Sequence, residues 1–128
     1  MTRLPLRIAH ALTLIAALLT GAAASAAELV MFERAGCPYC ARFEHEIAPI
    51  YQKTDEGKAA PLRRVDINAP IPRDLGSVTV ERITPVFALV DRGREIGRIR
   101  GYPGEDNFWG LLAGMIGDLH KTGDGKVD

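Results

Sequence analysis

The chain has 128 residues with 16 basic and 16 acidic side chains, which gives a formal net charge of zero. Hydrophobic residues make up 47% and charged residues 25% of the chain, as in an ordinary folded protein of one domain. A chain with no net charge and no basic stripe has no electrostatic support for binding nucleic acid.

The first 26 residues have the features of a secretory signal peptide. Arg3 and Arg7 form a basic start, an apolar run follows over 8–19, and Ala24-Ser25-Ala26 fits the A-x-A pattern that signal peptidase reads. The apolar run is shorter than the roughly 20 residues of a membrane-spanning helix. We therefore predict that residues 1–26 are a cleaved signal, with a retained membrane anchor as the alternative, and that the mature chain is periplasmic and free of the membrane.

The mature chain begins with the pattern of a strand, a loop and a helix. The apolar run from Glu28 to Phe32 predicts a buried strand. The only two cysteines, Cys37 and Cys40, follow a short loop, and an apolar stripe at helical spacing predicts a helix that starts there. That stripe consists of Cys40, Phe43, Ile47 and Ile50. Pro49 should kink or shorten the helix, because it has no N–H to donate.

The second half of the chain predicts more strands and a closing helix. The expected elements are a loop over 53–60, a strand over 62–67, a short helical turn within 74–82, a hairpin of strands over 83–90 and 95–100, and a helix over 105–120. Residues 121–128 are polar and are predicted to be a flexible tail.

This order of elements predicts an α/β fold. Two strands joined by a helix should be parallel, with a right-handed crossover, and the hairpin should add antiparallel strands. We expect one domain over residues 27–120, with a central mixed sheet of about four strands flanked by helices.

Two cysteines three positions apart are compatible with several kinds of site. A structural zinc site needs four ligands, but the histidines of the mature chain, His45 and His120, lie at opposite ends of it. Haem attachment needs C-x-x-C-H, and Ala41 follows Cys40. A two-coordinate copper(I) site needs only the two thiolates and stays open. A purely structural disulfide in so small a loop would stabilise the fold little.

Redox chemistry accounts for the residues around the pair. Cys37 is expected at the N-cap of the helix and Pro38 at its first position, where a missing N–H costs nothing. The sulfur of Cys37 would then face the free N–H groups of Tyr39 and Cys40 and the positive end of the helix dipole, which favours thiolate over thiol. Cys37 is therefore the predicted nucleophile, and Cys40, one turn into the helix, the shielded resolving thiol.

A second motif lies at the start of the hairpin. Thr84-Pro85 opens the strand, and a cis peptide bond there, beside the disulfide, would expose the backbone of Thr84 to an extended peptide. Alone, a trans proline at a strand start would be the simpler expectation; the upstream C-P-Y-C favours cis. Pro38, Tyr39 and Thr84 are the predicted substrate contacts, and Pro85 joins the two cysteines as a predicted catalytic residue.

Together these features resemble the thioredoxin superfamily. The resemblance rests on C-P-Y-C at the start of a helix with an internal proline, on Thr84-Pro85 before the hairpin, and on Gly101-Tyr102 before the last helix. It covers nearly all of the mature chain. It implies the thioredoxin-like fold, a nucleophilic Cys37, a resolving Cys40 and a cis bond at Pro85.

The chain departs from its relatives at specific positions. Thioredoxins carry Trp directly before the first cysteine and a buried Asp six positions before it, where this chain has Gly36 and Met31. Proton transfer to and from Cys40 would then use Glu33 or water. Glutaredoxins carry T-V-P where this chain has Ile83-Thr84-Pro85. We therefore expect neither glutathione nor another separate cofactor, and no metal; the redox group is the cysteine pair.

The stretches ELVMFERAGCPYCARF, PLRRVDI and GYPGEDNFWGLL are similar to the small periplasmic thiol-disulfide oxidoreductases of bacterial sulfur-oxidation systems. That likeness implies a monomeric dithiol reductase of protein disulfides or mixed disulfides, including those of a sulfur-carrier protein, recharged by a membrane or periplasmic thiol reductant. An oxidase or an isomerase is the alternative within the same chemistry. Isomerases of this compartment usually add a dimerisation domain, for which the chain has no room.

Overall fold

The computed structural model describes residues 26–124. The predicted signal peptide, apart from Ala26, and the last four residues lie outside this range. The elements in chain order are strand β1 (Ala27–Glu33), helices α1 (Pro38–Glu46), α2 (Ala48–Tyr51) and α3 (Asp55–Ala59), strand β2 (Leu62–Asp66), a 3-10 turn (Arg73–Leu75), strands β3 (Val86–Asp91) and β4 (Arg94–Arg100), and helix α4 (Glu105–Asp124).

The four strands form one mixed sheet in the order β2-β1-β3-β4. Strand β1 pairs parallel with β2 and antiparallel with β3, and β3 pairs antiparallel with β4. The predicted α/β fold, with a crossover followed by a hairpin, is confirmed. Glu33 lies opposite Asp66, and Phe32 lies opposite Val86. The ends of β1 and β2 and the start of β3 therefore meet at one edge of the sheet, called here the active edge.

Alternate residues of β1 point to two separate cores, as the period of a strand requires. Leu29 and Met31 join the cluster that contains both cysteines and the buried faces of α1 and α4. Val30 and Phe32 join the second cluster, on the opposite face, with residues of β2, β3 and the 3-10 turn. Since β1 is buried on both faces, its sequence is a continuous apolar run rather than an alternating one.

The predicted first helix is divided into two at Ile47. The backbone of Ile47 ends α1, and Pro49 stands in the first turn of α2, so the expected interruption by this proline is confirmed. The predicted loop over 53–60 is wrong, because it contains α3. Thr54 caps that helix by accepting a hydrogen bond from the N–H of Gly57 at 3.0 Å, and a cap of this kind starts a helix in a polar segment.

The remaining differences concern the ends of elements. Strand β3 begins at Val86 rather than at 83, because Pro85 has no N–H to contribute to a ladder. Helix α4 continues to Asp124, four residues past the predicted end. Over residues 26–124 no helix combines the length and the apolar character that crossing a bilayer requires.

Candidate active site

The first turn of α1 is built around Cys37, as predicted. Cys37 is the N-cap in extended conformation, Pro38 occupies the first helical position, and the Cys40 N–H donates a hydrogen bond to Cys37 Sγ at 3.1 Å. The carbonyl of Cys37 accepts the first helical bond from Ala41 N at 3.1 Å. The sulfur thus takes the place of the side-chain oxygen that usually satisfies the free N–H groups at a helix start.

Cys37 and Cys40 form a disulfide, with their Cα atoms 5.2 Å apart. The structure is therefore that of the oxidised protein. In this form neither sulfur is a thiolate, so the copper(I) alternative has no ligands until the pair is reduced. No group of three or more His, Cys, Asp and Glu side chains suited to a metal ion exists within residues 26–124.

The two cysteines differ less in exposure than we expected. Cys40 is 5% exposed and Cys37 is 7% exposed, and both belong to the core cluster that includes Phe43. Cys40 is shielded, as predicted, but the sulfur of Cys37 is turned toward the helix start and is also largely covered. What distinguishes the two is therefore the hydrogen bond that Cys37 receives at the cap.

The Thr84-Pro85 peptide bond is cis, as predicted. Pro85 is buried, and its carbonyl accepts a hydrogen bond from Gly101 N at 2.8 Å, which ties this segment to the end of β4. The register brings the segment to the active edge, where the loop after β1 carries Cys37. The hydroxyl of Thr84 is buried and has no hydrogen-bond partner within residues 26–124.

Two apolar side chains are exposed beside these motifs. Tyr39, between the cysteines, is 54% exposed, and Ile83, directly before Thr84, is 48% exposed. Ile83 was not among the residues predicted for the site, because it was assigned to a strand. The signal that could have found it is its position before a proline that cannot join the sheet.

Tyr102, from the G-Y motif, holds α1 against the loop before α4. Its ring packs on Phe43 and Phe108, and its hydroxyl donates a hydrogen bond to Glu46 Oε2 at 2.6 Å. Arg42 lies over the ring, 5.4 Å from its centre, and also donates to Glu46. The hydrogen bond from Tyr102, followed by the contact with Arg42, lowers the pKa of Glu46 below its ordinary value of 4.5.

Glu33 and Met31 point to the same face of β1 as the disulfide. Met31 is fully buried in the cluster with both cysteines, so no carboxylate occupies the position of the thioredoxin Asp. Glu33 is partly buried at the end of β1, and its burial raises its pKa, opposed by the positive charge of Arg64. Arg64 itself forms an ion pair with Glu44 at 2.7 Å. The assignment of Glu33 as a proton carrier stays a prediction.

A disulfide across the first turn of a helix can exchange with the thiols of another molecule through a mixed disulfide. This chemistry places the protein in the class of thiol-disulfide oxidoreductases. The chain belongs to the thioredoxin-like family: residues 17–116 match the family described as thioredoxin-like domain.

Solved structures agree with that assignment. The periplasmic thioredoxin SoxS from Paracoccus pantotrophus, in its reduced form, is 47% identical over 73% of this chain and 98% of its own, with a TM-score of 0.68. A thioredoxin-fold protein from Helicobacter pylori is 22% identical over 69% of this chain and 67% of its own, with a TM-score of 0.55, and shows the fold alone. A search of curated proteins gave no match.

Proposed function

We propose that this protein is a periplasmic dithiol reductase of disulfides and mixed disulfides in other proteins. The observation that carries the proposal is the 3.1 Å hydrogen bond from Cys40 N to Cys37 Sγ. The same N–H would stabilise negative charge on that sulfur after reduction, because it lies at the positive end of the helix. The periplasmic location and the direction of electron flow are supported by the likeness to the Paracoccus protein and by the signal-like sequence.

The reaction begins with the reduced pair. The thiolate of Cys37 attacks one sulfur of the substrate disulfide; a bond forms between Cys37 and that sulfur, and the other substrate sulfur leaves as a thiolate and takes up a proton. Cys40 loses its proton and attacks Cys37, which restores the disulfide seen here and releases the second substrate thiol. Two electrons pass from the cysteine pair to the substrate, and a thiol reductant in the membrane or periplasm returns them, with no separate cofactor.

Substrate docking uses the exposed residues around the pair. Tyr39 and Ile83 would offer apolar contacts, and the backbone of Thr84 would pair with an extended peptide at the active edge. Protein substrates that present a cysteine in an extended segment fit these contacts.

The substrate proposed from the likeness to the Sox protein is a periplasmic sulfur carrier. Its single cysteine would be trapped when it forms a disulfide, and this protein, acting as a monomer, would release it as a thiol.

A Cys40→Ser variant tests the assignment of roles. Without the resolving thiol, the variant should accumulate mixed disulfides with its substrates through Cys37, which are isolated from periplasmic extracts under non-reducing conditions. Cys37→Ser is the matched control and should trap far less. Equal trapping by both variants, or none by either, would show that the roles are wrong.

The redox state of the cysteine pair in the cell tests the direction of electron flow. Rapid acid quenching followed by alkylation should find Cys37 and Cys40 mainly as thiols, since a reductase is kept reduced by its donor. A pair that is mainly disulfide in growing cells would assign the oxidase alternative instead.

A further inference from the structure

A groove of about 410 Å³ runs along the active edge, next to the loop that carries Cys37. Three segments meet there: the loop after β1, the loop after β2 and the segment before the cis proline. The lining residues are Arg34, Ile67, Asn68, Val80, Glu81 and Arg82. Arg34 lies three positions before Cys37 and Arg82 two positions before Thr84, so the groove is lined by the same two segments that carry the proposed site residues.

The two arginines of this groove, Arg34 and Arg82, form no ion pair within residues 26–124. Of the ten arginines within residues 26–124, six form ion pairs with carboxylates. Arg34 and Arg82 are exposed and belong to the four that have no carboxylate partner in the described range. The other two, Arg73 and Arg94, lie away from the groove. Arg73 precedes Asp74 and Arg94 follows Gly93 in the chain. The carbonyl of Asp74 lies near Gly93, in the turn between β3 and β4.

The one carboxylate that lines the groove is already occupied. Glu81 accepts hydrogen bonds from Arg98 and Arg100, both on β4. Arg98 also donates to Glu95 and to the carbonyl of Thr79. Glu81 thus fixes the segment before Thr84 to β4 and cannot neutralise Arg34 or Arg82. Glu33 and Asp66 line a neighbouring cavity that shares Arg34 with the groove, and neither carboxylate forms an ion pair with that arginine in the described range.

We propose that this groove binds an acidic segment of the substrate protein that lies beside the substrate's disulfide. The inference rests on the proposed function and adds the substrate class. Two unpaired guanidinium groups supply the charge complementarity, Ile67 and Val80 supply apolar contact, and the open shape suits a peptide rather than an enclosed small anion. Carboxylates in this position attract and orient the substrate as its disulfide approaches Cys37.

A pair of model peptides tests the proposal. Each carries one cysteine blocked as the uncharged methyl disulfide; one has three Asp residues next to the cysteine and the other has three Asn residues. The reduced protein should cleave the Asp peptide with the higher kcat/KM. In the Arg34→Gln/Arg82→Gln variant, kcat/KM for the Asp peptide should fall roughly threefold to twentyfold, as expected for two exposed charge contacts, and that for the Asn peptide should not change.

The Arg73→Gln/Arg94→Gln variant is the matched control, since it removes the same charge from sites away from the groove, and it should keep the preference. Added salt should weaken the preference in the wild type. The proposal is overturned if the wild type has no preference, if the groove variant keeps it, or if the groove variant loses activity equally on both peptides.

A binding measurement on the oxidised protein tests this inference independently of the proposed reductase activity. Peptides with Ser in place of Cys are titrated into the oxidised protein and followed by NMR shifts of the groove residues. Tighter binding of the Asp peptide than of the Asn peptide, lost in the groove variant, supports the inference. If neither disulfide peptide is reduced, only the proposed reductase activity is rejected. Equal binding of both Ser peptides overturns the inference.

Discussion

The hydroxyl of Tyr102 donates a 2.6 Å hydrogen bond to Glu46, which joins the loop before α4 to the helix that carries the cysteines. The contact spans 56 positions of the chain. Glu46 is the last residue of α1, so the contact holds the helix at the end opposite to the disulfide. The fixed position of Cys37 thus depends on a residue far from it in sequence.

Tyr102→Phe should raise the pKa of Glu46 toward its ordinary value of 4.5, because the hydroxyl is the largest cause of the lowering. A carboxylate with a lowered pKa stabilises the folded state above pH 4.5, and this stabilisation is lost as the pH falls through its folded-state pKa. The wild type should therefore exceed the variant in free energy of unfolding near neutral pH, and the two should converge in acid. NMR titration of the Glu46 carboxyl carbon and urea unfolding at several pH values measure this; a constant difference at all pH values would contradict it.

Glu33→Gln should make the protein more stable at neutral pH. Burial raises the pKa of Glu33, so the folded state binds its proton more tightly than the unfolded chain does. Stability from this group is present below about pH 4.5 and is lost as the pH rises through the folded-state pKa. The variant, which has no charge to bury, should have a higher free energy of unfolding than the wild type only above that range. Urea unfolding at pH 3.5 and pH 7 measures this difference.

The same variant distinguishes the two proton acceptors considered for Cys40. A slower release of mixed disulfides in Glu33→Gln, measured by stopped flow across pH, would assign the proton to Glu33. An unchanged rate and pH profile would assign it to water.

Gly57→Ala and Gly110→Ala should have opposite effects on stability. A Cβ on Gly57 would lie 1.9 Å from the carbonyl oxygen of Tyr51, whereas one on Gly110 would meet nothing within 4 Å. Alanine at Gly110, within α4, should stabilise the protein by about 0.5–1 kcal/mol. Alanine at Gly57 must displace backbone and should destabilise it by about 1–3 kcal/mol. Thermal unfolding of both variants measures the difference, and a stabilised Gly57→Ala protein would contradict the packing of α3 on α2.

Cys37 in the Cys40→Ser variant should react with iodoacetamide well below about pH 8.5, where a free cysteine is half ionised. The reason is the helix start, whose N–H groups and dipole favour the thiolate. Cys40 in Cys37→Ser provides the comparison and should react only at higher pH. Identical pH profiles for the two thiols would remove the basis for naming Cys37 the nucleophile.

Sequence reasoning was sufficient where local chemistry decides the structure. The N-cap at Cys37, the break before Pro49 and the parallel crossover each follow from a backbone constraint that acts within a few residues. Helix α3 was missed because apolar periodicity was the criterion, whereas a hydrogen bond to Thr54 starts that helix.

Features that depend on which loops meet at the active edge could not be predicted in the same way. The exposure of Ile83 and the near burial of Cys37 depend on three-dimensional packing. The grouping of Arg34 with Arg82 joins segments that are almost 50 positions apart in the chain, and nothing in the residues near either one indicates the other. Glu81, which precedes Arg82 in the chain, is held by Arg100 of β4.

The bond between Cys37 and Cys40 uses every cysteine in the chain. A fluorine or fluorescent label attached through sulfur to either single-cysteine variant will therefore sit at the first turn of α1 and nowhere else. Spectroscopy of partner docking can then be carried out with one substitution only, and each signal will report one known location.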